Sequence, residues 1–253
     1  MKVIACCKIV PEEQDIIVRA DRTLDTGKAV LKLGQYDLPA IEEAVRAAEH
    51  TSGRAALLCA GTAVIDNSKL VKAALSRGAD ELFLVTDEAL AAADASQTAA
   101  VLAAAVQKIG FDLVICGEGS SDIYAQQVGA QLGERLNVNV FNAVGRIRLS
   151  GDSIIIERVL EQEVEVLEVP LPAVVSVTTD INLPRIPQLK DIMAAGKKPV
   201  TRWGFGDLGV AVRSPLEIIS TLAPESQERK HIIVEGDGDD KIDIFWQQIQ
   251  KEL

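Results

Sequence analysis

A chain of 253 residues with 48% hydrophobic and 25% charged residues is an ordinary globular protein, and its length fits one large domain with an appendage. The formal net charge of -11 is spread without a basic cluster, which argues against nucleic acid or an anionic membrane as the main partner. The N-terminus reaches a lysine and then acidic residues too soon for a secretory signal, and no apolar run is long enough to cross a bilayer. We therefore expect a cytoplasmic protein without membrane insertion.

The first half of the chain alternates apolar strand-like runs with helical patterns. Strands are predicted at Val3 to Val10, Ala55 to Cys59, Glu81 to Thr86 and Leu113 to Cys116. Helices are predicted from Asp37 to Gly53, from the Asp66, Asn67 and Ser68 cap cluster to Gly78, and from Ser96 to Ile109. Residues 12–34 predict an irregular, hairpin-like excursion. Because each parallel strand pair needs a crossover helix, the alternation predicts an α/β fold with a doubly wound parallel sheet.

The second half predicts additions to this sheet and then an arm. Extended runs at Phe141 to Leu149, Ser153 to Val159 and Val164 to Val169 are expected as antiparallel additions at one edge, before a strand at Ala173 to Val177. Prolines then punctuate a loop, and the tail predicts a strand at His231 to Glu235 and an amphipathic helix from about Asp239. The expected organisation is an α/β domain (1–179), a loop (180–200) and a C-terminal arm (201–253) whose apolar positions pack on a partner rather than on the domain itself.

One glycine turn follows the fourth strand. Gly117 and Gly119 allow a tight turn, and Ser120, Ser121 and Asp122 are good N-cap residues for a helix that continues through Val128. Free N–H groups at a helix start behind glycines predict an anion site suited to a phosphate. The stretch GEGSSD matches neither established phosphate-loop motif, and a plain strand-to-helix turn is the alternative.

The four cysteines predict buried, reduced thiols. Cys6, Cys7, Cys59 and Cys116 lie in or beside apolar runs, without a C-x-x-C pair and with only two histidines in the chain. No metal site is therefore expected.

Four stretches resemble one known family. They are IACCKIVPE, GQYDLPAIEEAV, GEGSSDIYAQQVG and the long IERVLEQEVEVLEVPLPAVVSVTTDINLPRIPQLKDIM, in which Arg158, Glu165 and Pro172 recur in the family's order. Together they resemble the β subunit of electron transfer flavoproteins, most closely the bacterial branch associated with nitrogen fixation and carnitine metabolism. The resemblance implies an adenine nucleotide α-hydrolase-like fold and a heterodimer with an α subunit that holds most of one FAD.

The resemblance also implies a nucleotide site in this chain, filled by AMP in simple carriers or by a second FAD in bifurcating members. Its residues, carried over by position, come from two strand ends, a helix start and the glycine turn: Cys6, Gly34, Gln35, Tyr36, Asp37, Ala60, Gly117, Glu118, Gly119, Ser120, Ser121, Asp122, Ile123, Tyr124, Ala125, Gln126, Gln127 and Val128. Val128 stands where the family commonly has threonine, so a hydroxyl contact to phosphate is not expected there.

Leu189 matches the family's exposed leucine that docks on a partner dehydrogenase; the alternative is a loop leucine that packs on its own domain. The leading expectation is a subunit of an electron carrier without substrate turnover of its own. The alternatives are a subunit of an electron-bifurcating flavoprotein that uses NADH, and a stand-alone sensor of adenine nucleotides.

Overall fold

The structure is a computed structural model that describes residues 1–210, 216, 218–225 and 231–251. The strands in this part of the chain are β1 (Lys2–Cys6), β2 (Ile9–Pro11), β3 (Ile17–Val18), β4 (Leu24–Asp25), β5 (Leu31–Leu33), β6 (Arg54–Gly61), β7 (Glu81–Thr86), β8 (Leu113–Gly117), β9 (Asn139–Ser150), β10 (Ser153–Val159), β11 (Val164–Pro170), β12 (Ala173–Val177) and β13 (Val200–Trp203). The α-helices are α1 (Asp37–Thr51), α2 (Ser68–Leu75), α3 (Ala95–Ile109), α4 (Val128–Leu136), α5 (Leu189–Ala195), α6 (Phe205–Leu208) and α7 (Asp239–Gln250).

Nine of the described strands form one sheet in the order β11-β10-β9-β12-β8-β1-β6-β7-β13. In this sheet the neighbouring strands from β9 through β12, β8, β1, β6 and β7 to β13 are all parallel. Only β10 pairs antiparallel, with β9 on one side and β11 on the other. The predicted α/β fold with a doubly wound parallel sheet is therefore confirmed. Two small antiparallel pairs, β2 with β5 and β3 with β4, make up the predicted hairpin-like excursion.

Alternate residues of the central strands enter two separate cores. Val3 and Ala5 pack with α1 and α2 on one face, whereas Ile4 packs with α3 and α4 on the other. These strands are buried on both faces, which explains their continuous apolar runs. The alanines of α1 and, on α3, Ala99, Ala103 and Ala105 are buried, so their small side chains bring the helices close to the sheet.

The chain changes direction across the sheet at β1. From β1 the crossover through α1 leads to β6 on one side, and the crossover from β7 through α3 leads back to β8 on the other side. In doubly wound sheets such a switch point leaves a crevice at the carboxyl ends of the two strands, where ligands bind. In this chain those ends are Cys6 of β1 and Gly117 of β8.

Several predicted boundaries are wrong. The strand predicted to Val10 ends at Cys6, because the N–H of Lys8 donates to the Asp37 carboxylate and its carbonyl accepts from Gly34. Helix α2 begins after its predicted Asn67 cap but ends at Leu75, before Gly78.

The predicted antiparallel additions need a partial correction. Strand β9 runs parallel to β12, inside the sheet, and only β10 and β11 continue beyond it as antiparallel hairpins. The connection from α4 therefore adds β9 as another crossover strand rather than as an edge hairpin.

The predicted arm begins inside the sheet. Strand β13, which the sequence did not predict, pairs with β7, and α6 packs on α3. The strand predicted at His231 to Glu235 is wrong, since these residues form no strand, whereas the terminal helix is present as α7. Residues 211–215, 217, 226–230 and 252–253 of the arm lie outside the described residues.

Candidate functional site

Gly117 brings the end of β8 against the start of α1. A Cβ atom at this position would meet the carbonyl oxygen of Tyr36, and it would lie 2.8 Å from the Tyr36 carbonyl carbon and 3.1 Å from Oδ1 of Asp37. Only glycine therefore allows this approach. The contact joins two stretches that the sequence assigns to one site, the residues before α1 and the loop after β8.

The loop from Glu118 to Gln127 is not the start of a helix. The expectation that Ser120, Ser121 and Asp122 cap the helix is wrong, because α4 begins at Val128. Tyr124 and Gln126 have positive φ values of 51° and 56°, a backbone conformation that does not continue a helix. The first turn of α4 nevertheless lies at the strand ends, since a Cβ atom on Gly129 would meet Oγ of Ser176 at the end of β12.

Lys8, which the sequence analysis did not select, fastens this loop to the end of β1. Its backbone N–H donates to Asp37 at 2.7 Å, and its Nζ donates to both carboxylate oxygens of Asp122 at 2.8 and 2.6 Å. Burial raises the pKa of Asp122, but hydrogen bonds from Lys8 and Ser120 outweigh it and lower that pKa overall. Asp122 is thus an ionised tether of the loop. A lysine directly after a buried strand is the sequence signal that could have indicated it.

If the loop holds the AMP that the resemblance implies, both Lys8→Met and Asp122→Asn should weaken its binding about two- to fivefold, because a half-exposed ion pair contributes up to about 1 kcal/mol. Isothermal titration with AMP measures this effect, with Lys28→Met as the control at another exposed lysine. If Lys8 only attracted phosphate, Asp122→Asn would free its charge and tighten binding. Tighter binding by Asp122→Asn would therefore contradict the tether.

Asp37 is a buried carboxyl at the start of α1. Burial raises its pKa from 3.8 to about 7, although the N–H of Lys8 and the charge of Lys8 act in the opposite direction. The unfolded chain releases this proton near pH 4, whereas the native chain keeps it until about pH 7. The native chain therefore binds one more proton across this window, and the free energy of unfolding contributed by Asp37 falls as the pH rises through it.

We expect Asp37→Asn to remove this dependence, which is at most about 1.4 kcal/mol per pH unit. From pH 4.5 to 7 the parent should lose free energy of unfolding relative to the variant. Above pH 7 the difference between the two proteins should stay constant. Urea unfolding at several pH values measures it. The control Asp66→Asn should show a constant difference over this range, because Arg202 lowers the pKa of that exposed carboxyl despite some opposing desolvation. A constant difference for Asp37→Asn as well would contradict the buried proton.

Tyr124 of the loop lies against Tyr36, which also lines an open cleft. The rings of Tyr36 and Tyr124 lie 5.0 Å apart between centroids and are tilted by 48°. The cleft of ≈ 400 Å³ next to them is lined by Gln35, Tyr36, Leu38, Pro39, Thr179 and Pro184. None of the lining residues belongs to the loop from Glu118 to Gln127, so the cleft borders the predicted site at Gln35 and Tyr36. Of the lining residues, sequence reasoning had selected only Gln35 and Tyr36.

The thiols are suited to packing rather than to chemistry. Cys6 and Cys116 occupy neighbouring positions at the ends of β1 and β8, and Cys7 faces Cys59 of β6. Hydrogen bonding with Cys116, together with burial, raises the pKa of the Cys6 thiol well above its ordinary value. A neutral thiol is a poor nucleophile and a poor metal ligand. Among the described residues no cluster of histidine, cysteine and carboxylate side chains could hold a metal ion.

The structure gathers most, but not all, of the predicted site residues at the switch point. Cys6, Gly34, Asp37 and Gly117 are close together, with the loop from Glu118 to Gln127 above them. Ala60 lies one strand away, on the far side of β1, and the loop residues from Ile123 to Gln127 are exposed. Val128 packs against the core between α3, α4 and the sheet.

The residues Arg158 and Glu165 lie outside this site. Arg158 donates to Glu165 at 2.6 Å and to the side chain and carbonyl of Asn142 at 2.8 and 3.0 Å, which holds β9, β10 and β11 together. Their role in the described structure is to stabilise the hairpin where the β9–β10 register shifts.

The segment between β12 and β13 exposes a row of apolar side chains. Leu183, Ile186 and Leu189 are 85, 89 and 74% exposed, and Met193 continues the row on α5. Leu189 therefore does not pack back on its own domain, as the alternative required. No helix among the described residues is both long and apolar enough to cross a membrane.

One comparison with known proteins bears on this arrangement. The sequence model of the electron transfer flavoprotein domain matches residues 13–208, well over half of the chain. The match extends from the excursion before α1 to the end of α6 and includes the loop after β8 and the exposed apolar segment.

Proposed function

Because the chain belongs to the electron transfer flavoprotein family, we propose that it is the β subunit of a heterodimeric, cytoplasmic electron transfer flavoprotein. In this role it would carry electrons between a flavin dehydrogenase of the acyl-CoA dehydrogenase type and a downstream acceptor. Bound FAD, held largely by an α subunit, supplies the redox chemistry. The chain itself supplies a nucleotide site, a surface for the α subunit and a segment that docks on the dehydrogenase.

The proposed nucleotide is an adenosine phosphate, either AMP or the AMP half of a second FAD. Backbone N–H groups of the loop from Gly117 and of the first turn of α4 are the donors that would hold a phosphate. The fixed Asp122 tether and the Tyr36 ring would position the loop and the aromatic side of the site.

The observation that carries the proposal is the exposed apolar row of Leu183, Ile186 and Leu189. A folded monomer seldom displays such large apolar side chains together without a partner to cover them. The row is short, which suits a transient partner such as a dehydrogenase. Helix α7 exposes a second apolar set, including Phe245 and Trp246, which suits a lasting contact with the α subunit.

Nucleotide content tests the proposal. The chain is co-expressed with the α-like product of a neighbouring gene, the complex is purified, and FAD and AMP are released by denaturation and quantified. One FAD and one AMP per heterodimer support a simple carrier. Two FAD without AMP would indicate the bifurcating alternative, and a chain that purifies alone with only an adenine nucleotide would overturn the heterodimer.

A further inference from the structure

The exposed apolar segment is attached to α1 by polar contacts. Asn182 donates from Nδ2 to the carbonyl oxygen of Pro39 and to Glu43, both at 3.0 Å. Arg46 donates to the carbonyl oxygen of Leu183 at 3.4 Å. The segment therefore follows the outer side of α1 although it has little regular secondary structure before α5.

Arg185 makes the strongest of these contacts. Its Nε and its backbone N–H donate to Oε2 of Glu42 at 2.8 and 3.1 Å, and its terminal nitrogens donate to Glu49 at 2.8 and 3.1 Å. A further bond from Nη1 of Arg77 to the Arg185 carbonyl, at 3.2 Å, fixes the backbone on the other side. Both the side chain and the main chain of Arg185 are thereby held.

The pair with Glu42 is sheltered from water. The Glu42 side chain is only 5% exposed, and it also accepts from Nε of Arg46 at 2.7 Å. Burial raises the pKa of the Glu42 carboxyl, but hydrogen bonds from Arg185 and Arg46 outweigh it and lower that pKa overall. Glu42 is therefore a fixed, ionised anchor at neutral pH.

In this segment the usual placement of polar and apolar side chains is reversed. Its polar residues Asn182 and Arg185 point to the domain and are bound there, while Leu183 and Ile186 on either side of Arg185 point to solvent. A flexible loop would collapse its apolar side chains onto the nearest apolar surface. Anchoring the charged residues instead keeps the apolar ones displayed.

We propose that Arg185 is a positioning residue that, through Glu42 and Glu49 of α1, preorganises the apolar segment for a protein partner. The inference rests on the proposed docking function of this segment. A segment that is already ordered loses less conformational entropy in the complex than a flexible one would. The effect of Arg185 is then on the affinity for the dehydrogenase and not on the electron-transfer step.

The test uses a double variant, Arg185→Gln with Glu42→Gln, so that no charge is left buried without its partner. Hydrogen exchange of the amides of residues 181–195 is measured in the purified heterodimer, and transfer is measured from an acyl-CoA dehydrogenase reduced by its acyl-CoA substrate. We expect amide protection to fall and the apparent KM for the carrier to rise about tenfold, with kcat and FAD content unchanged. Arg185→Lys should recover part of the affinity, since lysine keeps the charge but not the forked contact.

A matched control removes another arginine–carboxylate pair. Arg202 of β13 donates to Asp66 at 2.6 and 2.9 Å, and neither residue contacts Arg185 or Glu42 by a hydrogen bond, so Arg202→Gln with Asp66→Asn should leave the exchange of residues 181–195 and the KM unchanged. Unchanged exchange in the Arg185 double variant would overturn the inference. Faster exchange with an unchanged KM would also overturn the inference about Arg185. In that case the docking function would still stand if Leu189→Ala slowed transfer. A Leu189→Ala variant with normal transfer would overturn the docking function and this inference with it.

Discussion

Gly117→Ala is expected to weaken binding of the AMP that the proposed function assigns to this site by roughly five- to 150-fold. The added methyl group would meet the Tyr36 carbonyl oxygen, so the end of β8 and the start of α1 must separate. Neither neighbour is a flexible side-chain end, and overpacking of this kind costs roughly 1–3 kcal/mol in stability, or a similar loss of affinity where the site itself is displaced. Calorimetric titration with AMP and urea unfolding of the same sample separate the two effects.

The control for this variant is Gly206→Ala in α6, where an added Cβ has no neighbour within 4 Å. It should bind AMP like the parent chain. Unchanged affinity of Gly117→Ala would show that the contact of β8 with α1 does not shape the nucleotide site, and would remove the main geometric argument for placing the site at the switch point.

Leu189→Ala is expected to slow electron transfer from the dehydrogenase about five- to thirtyfold, because truncating a central apolar anchor costs roughly 1–2 kcal/mol of binding. Folding and flavin content should not change, since the side chain is largely exposed and contributes little to the core. The measurement is the rate of carrier reduction by a reduced acyl-CoA dehydrogenase at several carrier concentrations.

Val166→Ala is a suitable control for this experiment, because Val166 is an exposed valine on β11, at the other edge of the sheet. It should leave the rate unchanged. Equal rates for the Leu189→Ala variant and the parent would exclude Leu189 from the docking surface, whatever the nucleotide content of the complex.

The sheet was predictable because its signals are local. Continuous apolar runs such as Leu113 to Cys116 occur only where both faces of a strand are covered, and Asn67 caps α2 as its residue type predicts.

The details of the site were not predictable, because distant residues decide them. Asp122 is a good helix cap by type, but its carboxylate binds Lys8, which lies 114 positions away in the sequence. Arg185 and Glu42 are 143 positions apart, so the Pro-rich stretch looked like a free loop. Strand β13 is only four residues long, and its pairing with β7 depends on the path of the chain after α5.

The two ends of the segment between β12 and β13 are both held in the same sheet. Strand β12 lies near its middle and β13 at its edge, five strand spacings or roughly 24 Å apart, and the connection crosses the α1 and α2 side of the molecule. A protease that cuts after Lys190 or Lys197 would therefore release no fragment, since each new end is secured by its own strand. The contacts of Asn182 and Arg185 with α1 lie before both cut sites, so a nicked preparation would keep these anchors and would look intact by gel filtration.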